Sequence, residues 1–338
     1  MAEYTTADSL PPGIAERLRE HRVTRSMRRR SRVFTDTTDF TAIDYGDVIV
    51  VDERYFLVVA YTKEGRFGVD EQIKPWVPKV EELATGEKKI LKLVFHETFD
   101  ITLGPFTIPC YRHPEKEARV LELVRGHPHF MQGEAALDGA GNLVRILDII
   151  NGSRLDKFIH RSGAPLEEYF HHELPPILSQ FLECLQAISF LHSHGFRHGD
   201  IRRDHILVER GSGLYRWIDF DYDFYLPERP FALDLYELGN ILMYLTVRGN
   251  FYPRDIAADP ALGRRVLDTI GPGDYSLLSK NRIVNLKKLF PFIPMELNNI
   301  FLHFSQGTEV FYETVDELHD DLAEALAAMH HSGPEEGR

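Results

Sequence analysis

The alternation of apolar and polar positions changes character part-way along the chain. Between Gly46 and residue 150 the apolar runs are short, β-branched and aromatic, which is the strand signature. They fall at 48–51 (VIVV), 55–61 (YFLVVAY), 76–83 (WVPKVEEL), 88–95 (KKILKLVF) and 143–150 (LVRILDII). The third and fourth flank Ala84-Thr85-Gly86-Glu87. They predict a hairpin in which Gly86 takes the positive φ. One helix is predicted among the strands, at 114–124 (PEKEARVLELV). After Gly152 the period turns helical. Ile177, Phe181, Leu185 and Ile188 recur at three- and four-residue spacing, and Leu178, Leu182 and Leu191 widen the stripe. A hairpin is predicted from 205–209 and 215–220 around Gly211-Ser212-Gly213. The run 232–247 (ALDLYELGNILMYLTV) is apolar nearly all round and predicts a buried helix. Thr314-Val315-Asp316-Glu317 has capping-box spacing and opens a last helix with Val315, Leu318, Leu322 and Leu326 as its stripe. Strands first and helices second predict an α+β, two-lobed chain rather than an alternating βαβ sheet.

Composition narrows the classes. A chain of 338 residues has room for two domains and a large core. Its 43% apolar and 27% charged residues exclude a mostly disordered chain. The formal charge of −13 argues against a general nucleic-acid binder, because phosphate attraction needs a positive surface. Cys110 and Cys184 lie far apart and suit a reducing compartment. No apolar stretch approaches about 18 residues, so neither a membrane span nor a membrane partner is expected. The N-terminus lacks a signal-peptide layout, and a cytoplasmic protein is the expectation. Residues 1–46 differ from the rest. Pro11, Pro12 and Gly13 break any early element, and arginines crowd the basic arm 17–32. This stretch reads as an extension with one short helix. Its arm is solvated or docked, or contacts an acidic partner or nucleic acid. RRRS at 28–31 and TRS at 24–26 have the pattern of basophilic phosphosites. The remaining boundaries are 47–150 for a strand-rich lobe, 151–329 for a helical lobe and 330–338 for a disordered tail.

The chemistry concentrates in His198-Gly199-Asp200-Ile201-Arg202-Arg203-Asp204-His205-Ile206-Leu207-Val208 and Trp217-Ile218-Asp219-Phe220-Asp221. Asp200 and Asp219 each stand beside a short apolar strand, and the hairpin joining those strands can bring them to one edge. One carboxylate can accept a proton from a hydroxyl nucleophile while the other holds Mg2+ against a nucleotide's phosphates. On the β-strand alternation, Ile90, Lys92 and Val94 share one face, and a lysine there needs an anionic partner. Lys88 and Lys89 read as solvated.

These motifs resemble the protein-kinase-like superfamily. HGDIRRDHILV looks like the catalytic loop HRDLKPENILL, and IDFD looks like IDFG. ELATGEKKILK is similar to DLETGEEVAIK, LDIINGSRL to the hinge MEYVPGGSL, DLYELG to DVWSLG and YETVDELHDDLAEAL to RPTAEELLEDL. Residues 63–68 (KEGRFG) resemble GxGxFG. The resemblance covers about residues 47–329 in family order. It implies a bilobal fold with a small β-rich lobe and a large, mainly helical lobe. It implies ATP and Mg2+ as cofactors, with Gly65, Phe67, Gly68, Ile90, Lys92, Leu147, Asp148 and Ile150 around the nucleotide. Leu147 takes the gatekeeper position, and Lys92 pairs with Glu117. Asp200 is implied as the base, Arg202 as a charge stabiliser, and Asp219 as a metal ligand with His205 and Asp221. A plain hairpin turn explains Gly65 and Gly68 nearly as well as a phosphate cradle does, and Phe67 at the tip favours the cradle.

Several positions depart from the family. His205 replaces the catalytic-loop asparagine, so it is either a nitrogen ligand or a sign of lost catalysis. Asp221 replaces the glycine of DFG. Gly199 replaces an arginine that normally reads activation-loop phosphorylation. The segment 219–234 is short and lacks APE. The resemblance implies a Ser/Thr-type phosphotransferase acting on a hydroxyl-bearing acceptor, more readily a protein than a small molecule. A pseudokinase that binds nucleotide or scaffolds a partner is the second reading. A small-molecule kinase of aminoglycoside- or choline-kinase type is the third.

Overall fold

In the computed structural model, which describes residues 4–66, 69–103, 106–259, 262–279, 281–308 and 310–331, the strand-like runs of the first half become one curled sheet. The strands in chain order are β1 Thr5–Thr6, β2 Arg32–Phe34, β3 Val48–Val51, β4 Arg54–Arg66, β5 Val69–Glu82, β6 Lys88–Lys92, β7 Thr98–Leu103 and β8 Phe106–Arg112. They continue with β9 Gly133–Leu137, β10 Leu143–Asp148, β11 Gly152–Arg154, β12 Ile206–Glu209, β13 Tyr215–Trp217 and β14 Tyr222–Phe224. The chain divides into two units. The first comprises Met1–Glu97, Arg112–His127 and Met131–Ile150, and the second Thr98–Tyr111, Pro128–Phe130 and Asn151–Arg338.

In the first unit the described residues form an eight-stranded sheet of order β1-β2-β3-β4-β5-β6-β10-β9. Only the β2–β3 pair is parallel. Pro75 and Pro78 lie in β5, whose long ladder with β4 is broken by bulges. The β4–β5 register slips between Val58 and Ala60, Tyr61 and Lys63, and Glu64 and Arg66. Gly86 takes a φ of +80° in the β5–β6 turn, as its neighbours predict. The strand at 88–95 ends early, at Lys92. Leu93 still donates its N–H to Trp76 O at 2.9 Å, and Phe95 stacks on the Trp76 ring. The sheet curls until β3 meets the end of β9, where Val51 bridges Asp138 and Asp52 N donates to Leu137 O at 3.2 Å. Curling of this kind removes an exposed edge. It encloses a core of Phe34, Val51, Phe56, Val80, Leu91 and Val144.

The stretch before Gly46 is built into this sheet rather than set apart from it. It supplies β1, β2 and two helices, α1 Pro12–Glu20 and α2 Arg22–Ser26. Leu10, Leu18, Val23 and Val33 bury against Val48, Leu57 and Leu83. Arg29 and Arg32 both pair with the fully buried Asp47, each at 2.5 Å. Ser31 of the RRRS pattern is buried, and Ser26 Oγ donates to Val23 O at 2.7 Å. A docked arm therefore replaces the solvated alternative. The predicted helix forms as α3 Pro114–Leu123, with His113 Nδ1 accepting from Lys116 N at its start.

The second unit is mainly helical. Its helices are α4 Leu155–Ile159, α5 Leu166–Glu168, α6 Leu174–Ser193, α7 Ala232–Val247, α8 Pro253–Ala258, α9 Gly263–Leu267, α10 Met295–Leu302 and α11 Val315–His331. A π turn at Tyr169–Glu173 fuses α5 to α6. The resulting run, Leu166–Ser193, is long and apolar enough to cross a bilayer, with mean hydropathy 1.3, contrary to expectation. The apolar character is that of a core helix: α6 accepts Trp217 Nε1 on Cys184 O at 3.1 Å, and its Ser189 bonds Asp316 of α11. The helix α7 is buried around nearly its whole circumference. At Gly239 a Cβ would come within 2.4 Å of the Phe304 ring, so only glycine fits. At the start of α11 the capping box forms: Glu317 N donates to Thr314 Oγ1 at 3.3 Å, and Glu317 Oε2 accepts from Thr314 N at 3.4 Å and from Glu313 N at 2.8 Å. The β7–β8 hairpin is unforeseen. It joins β14 in a three-stranded sheet, and β11, β12 and β13 form another.

Candidate active site

In the first unit, strand alternation turns Leu91 and Leu93 into the core and leaves Lys92 on the other face. Lys92 is only 2% exposed, and its Nζ donates to Glu117 Oε1 on α3 at 2.7 Å. The other carboxylate oxygen accepts from Arg145 Nε at 3.1 Å. Arg145 stands directly opposite Lys92 in the β6–β10 ladder. Two cations facing each other on adjacent strands repel, and the fully buried Glu117 between them removes the penalty. The trio keeps one net positive charge. Arg145 is absent from the sequence-derived set, although an arginine inside the apolar run LVRILDII signals a buried anion.

The other first-unit candidates are dispersed along the sheet. Ile90 lies opposite the buried Leu147. Asp148 is engaged by its own fold: its carboxylate takes Lys89 at 2.8 Å, and its N–H donates to Gln132 O. Lys89 is therefore paired rather than solvated. Ile150 is half-buried at the unit's last residue. Gly65 sits in β4 at a register slip, while Phe67 and Gly68 lie outside the described residues.

In the second unit the catalytic-type loop is tied to α7. Asp234 accepts from His198 N at 2.7 Å, Gly199 N at 3.0 Å and His192 Nε2 at 3.0 Å. Burial pushes its carboxyl up, but these donors outweigh it and hold the group down at about 2. Gly199 needs its φ of +85° for both N–H groups to reach one carboxylate. His198 is a packing residue, fully buried against Trp217 and Phe220.

His205 organises the acids. Its Nδ1 lies 2.8 Å from Asp200 O, and a carbonyl can only accept, so Nδ1 carries the proton. Nε2 faces Asp219 Oδ2 at 3.7 Å. Burial pushes the Asp200 carboxyl above the ordinary carboxylate range, and the His205 and Arg202 charges oppose this. Asp219 holds a left-handed φ of +63°, an uncommon conformation that costs energy and often marks function. Asp221 is buried two residues on. Arg202 makes a two-pronged contact with Asp204 at 3.0 and 2.7 Å. Beyond Asp221 the chain is fixed by Arg197, which pairs with Asp223 at 2.8 Å and covers the Phe224 ring. Two carboxylates and an imidazole nitrogen are groups that could hold a divalent cation, with oxygen the better match for Mg2+.

No family model matches the chain. Curated kinases do. Sperm motility kinase 2B of Mus musculus is 23% identical over 236 residues, covering 62% of this chain and 47% of that one. CBL-interacting serine/threonine-protein kinase 16 of Arabidopsis thaliana is 28% identical over 141 residues, covering 41% and 27%. Death-associated protein kinase dapk-1 of Caenorhabditis elegans is 26% identical over 145 residues, covering 43% and 10%. The matched stretches span less than half the length of these relatives. Among solved structures, the Mycobacterium tuberculosis PknI kinase domain aligns with 80% of this chain and 96% of its own, at 16% identity and a TM-score of 0.44. The fold is α+β, with a sheet-rich first unit and a helical second. The chain is protein-kinase-like.

Proposed function

We propose that the chain is an ATP- and Mg2+-dependent phosphotransferase of Ser/Thr protein-kinase type. The observation that carries this reading is the buried Lys92–Glu117 pair at 2.7 Å, with Arg145 leaving the trio positive. A buried ion pair is weak as a stabilising device, since desolvation offsets its attraction. Its position suits an ammonium that must be aimed at phosphate. In the reaction Lys92 orients the α- and β-phosphates, and Asp200 aligns the acceptor hydroxyl. The hydroxyl oxygen bonds to the γ-phosphorus, the bond to the β–γ bridging oxygen breaks, ADP departs and the hydroxyl proton passes to Asp200. Asp219 and Asp221, with His205, would hold the metal ion, which when bound neutralises phosphate charge. Asp200→Asn is expected to abolish transfer of radiolabelled phosphate while preserving the thermal shift given by Mg-ATP. Wild-type transfer in that variant removes Asp200 from the base role.

His205 favours a second reading, a nucleotide-binding pseudokinase. An imidazole nitrogen, placed 3.7 Å from Asp219, is a poorer Mg2+ ligand than an oxygen. A Mg-ATP thermal shift with no transfer to any protein or peptide would establish this second reading.

A further inference from the structure

The second unit contains a hollow of about 290 Å3 lined by Arg154, Arg202, Arg203 and Arg282, beside the loop that carries Asp200. Four guanidinium groups around one hollow stand out in a chain of net charge −13. Two are neutralised locally: Arg154 by Asp156 and Arg202 by Asp204. The other two are not neutralised in this way. Arg203 is exposed, lies 4.2 Å over the Tyr244 ring and has no carboxylate partner among the described residues. Arg282 is only 6% exposed, and its bonds go to neutral acceptors, Asn240 Oδ1, Tyr236 Oη and Ser276 Oγ. Its Nε is buried with no partner. The third acid in the wall, Glu237, is bonded by Asn240, and burial pushes its carboxyl up against the Arg282 charge. Four guanidinium groups against three carboxyls leave the hollow positive. At a water's volume each it holds roughly ten waters. That accommodates a carboxylate or phosphate with its stem, and it falls below the range of drug-sized sites.

We propose that the acceptor is a peptide hydroxyl flanked by an anionic side chain, Asp, Glu or a phosphorylated residue, which docks in this arginine hollow. The assignment rests on the phosphotransferase reading above. Arg202 and Asp204 lie two and four residues beyond Asp200 on the same loop, so the hollow adjoins the proposed base. Guanidinium groups match carboxylate and phosphate two-pronged, which an ammonium cannot do. The hollow takes only the anionic group, so the rest of the acceptor must be a chain that extends from it to Asp200.

The test uses the full chain with Mg-ATP and serine peptides flanked by Glu, phosphoserine, Gln or Arg. The Glu and phosphoserine peptides are expected to exceed the Gln peptide in kcat/KM by about tenfold or more, the scale of a charge-assisted hydrogen bond. High salt should erode the preference. Arg203→Ala should bring the ratio close to one while the KM for ATP stays unchanged. Arg203→Lys should keep part of it. In parallel, anisotropy of a labelled Glu peptide should show binding that Arg203→Ala loses, at an unchanged melting temperature. Transfer that is indifferent to flanking charge, or a preference that survives Arg203→Ala, overturns the hollow and leaves the phosphotransferase reading intact. Arg203-dependent binding without transfer to any peptide keeps the hollow and removes the phosphotransferase reading. Absence of Arg203-dependent binding together with absence of transfer overturns both.

Discussion

In the proposed phosphotransferase, a single histidine between two aspartates would decide which cation serves. His205 donates through Nδ1 to Asp200 O and turns Nε2 towards Asp219. Imidazole is a poorer partner for Mg2+ than a carboxamide oxygen. His205→Asn is therefore expected to raise Mg2+-supported transfer by about tenfold, within the range of ligand-shell changes. The gain should exceed that seen with Mn2+, and an unchanged Mg2+/Mn2+ ratio would place His205 outside the metal's reach. The same reasoning applies to Glu117, which is shared by Lys92 and Arg145. Removing its charge leaves two buried cations opposed on adjacent strands. Glu117→Gln should lower the urea-unfolding free energy by roughly 3–5 kcal/mol. Adding Arg145→Met should recover part of that loss, because it removes the repulsion. Additive losses in the double variant would show that the two cations do not share the carboxylate. Arg145 was legible only as an anomaly, an arginine in an apolar strand. Its partner lies 28 residues away and cannot be read from local pattern.

At the scale of elements, α7 and the His198–Gly199 turn act as one piece through Asp234. The carboxyl is held ionised down to about 2 in the folded chain, against an ordinary 3.8. A depressed acid stabilises the fold above its unfolded value, and this contribution is lost as pH falls from near 3.8 through about 2. Asp234→Asn should remove that part of the acid-unfolding slope and destabilise the protein at neutral pH. If acid unfolding of the variant follows the wild-type curve, Asp234 is not the carboxyl responsible. Elements with strong period were readable: α7 by its all-round apolarity, α11 by its Thr314–Glu317 spacing and α6 by its stripe. The β7–β8 hairpin was not, for a physical reason. It pairs with β14, more than a hundred residues later, and shares a small core of Ile108, Cys110, Phe224 and Leu233 with it. Strand formation of that kind is set by the tertiary partner and leaves little local alternation to read.

For the molecule as a whole, the instructive region is the one whose role composition misrepresents. Residues 4–46 carry an arginine crowd that reads as a separable arm, yet Arg29 and Arg32 are the counterions of Asp47, which has no exposure at all. Sequence gives the charges but not the pairing. The acid lies 18 and 15 residues beyond its partners, at the mouth of β3. A chain starting at residue 47 loses more than β1 and β2. It exposes Val48, Leu57 and Leu83, and it opens Asp47 to water as the first residue, without either arginine. The consequence is a lost dependence on the acid. In the full chain Asp47→Asn should destabilise by roughly 3–5 kcal/mol, because two arginines lose their anion and Asp44 N loses a charged acceptor. In the chain beginning at residue 47 the same substitution should stay within about 0.5 kcal/mol, since the side chain is then on the surface. Thermal melts of the four proteins measure both effects. If Asp47→Asn destabilises both chains equally, residues 4–46 are not what holds that buried acid.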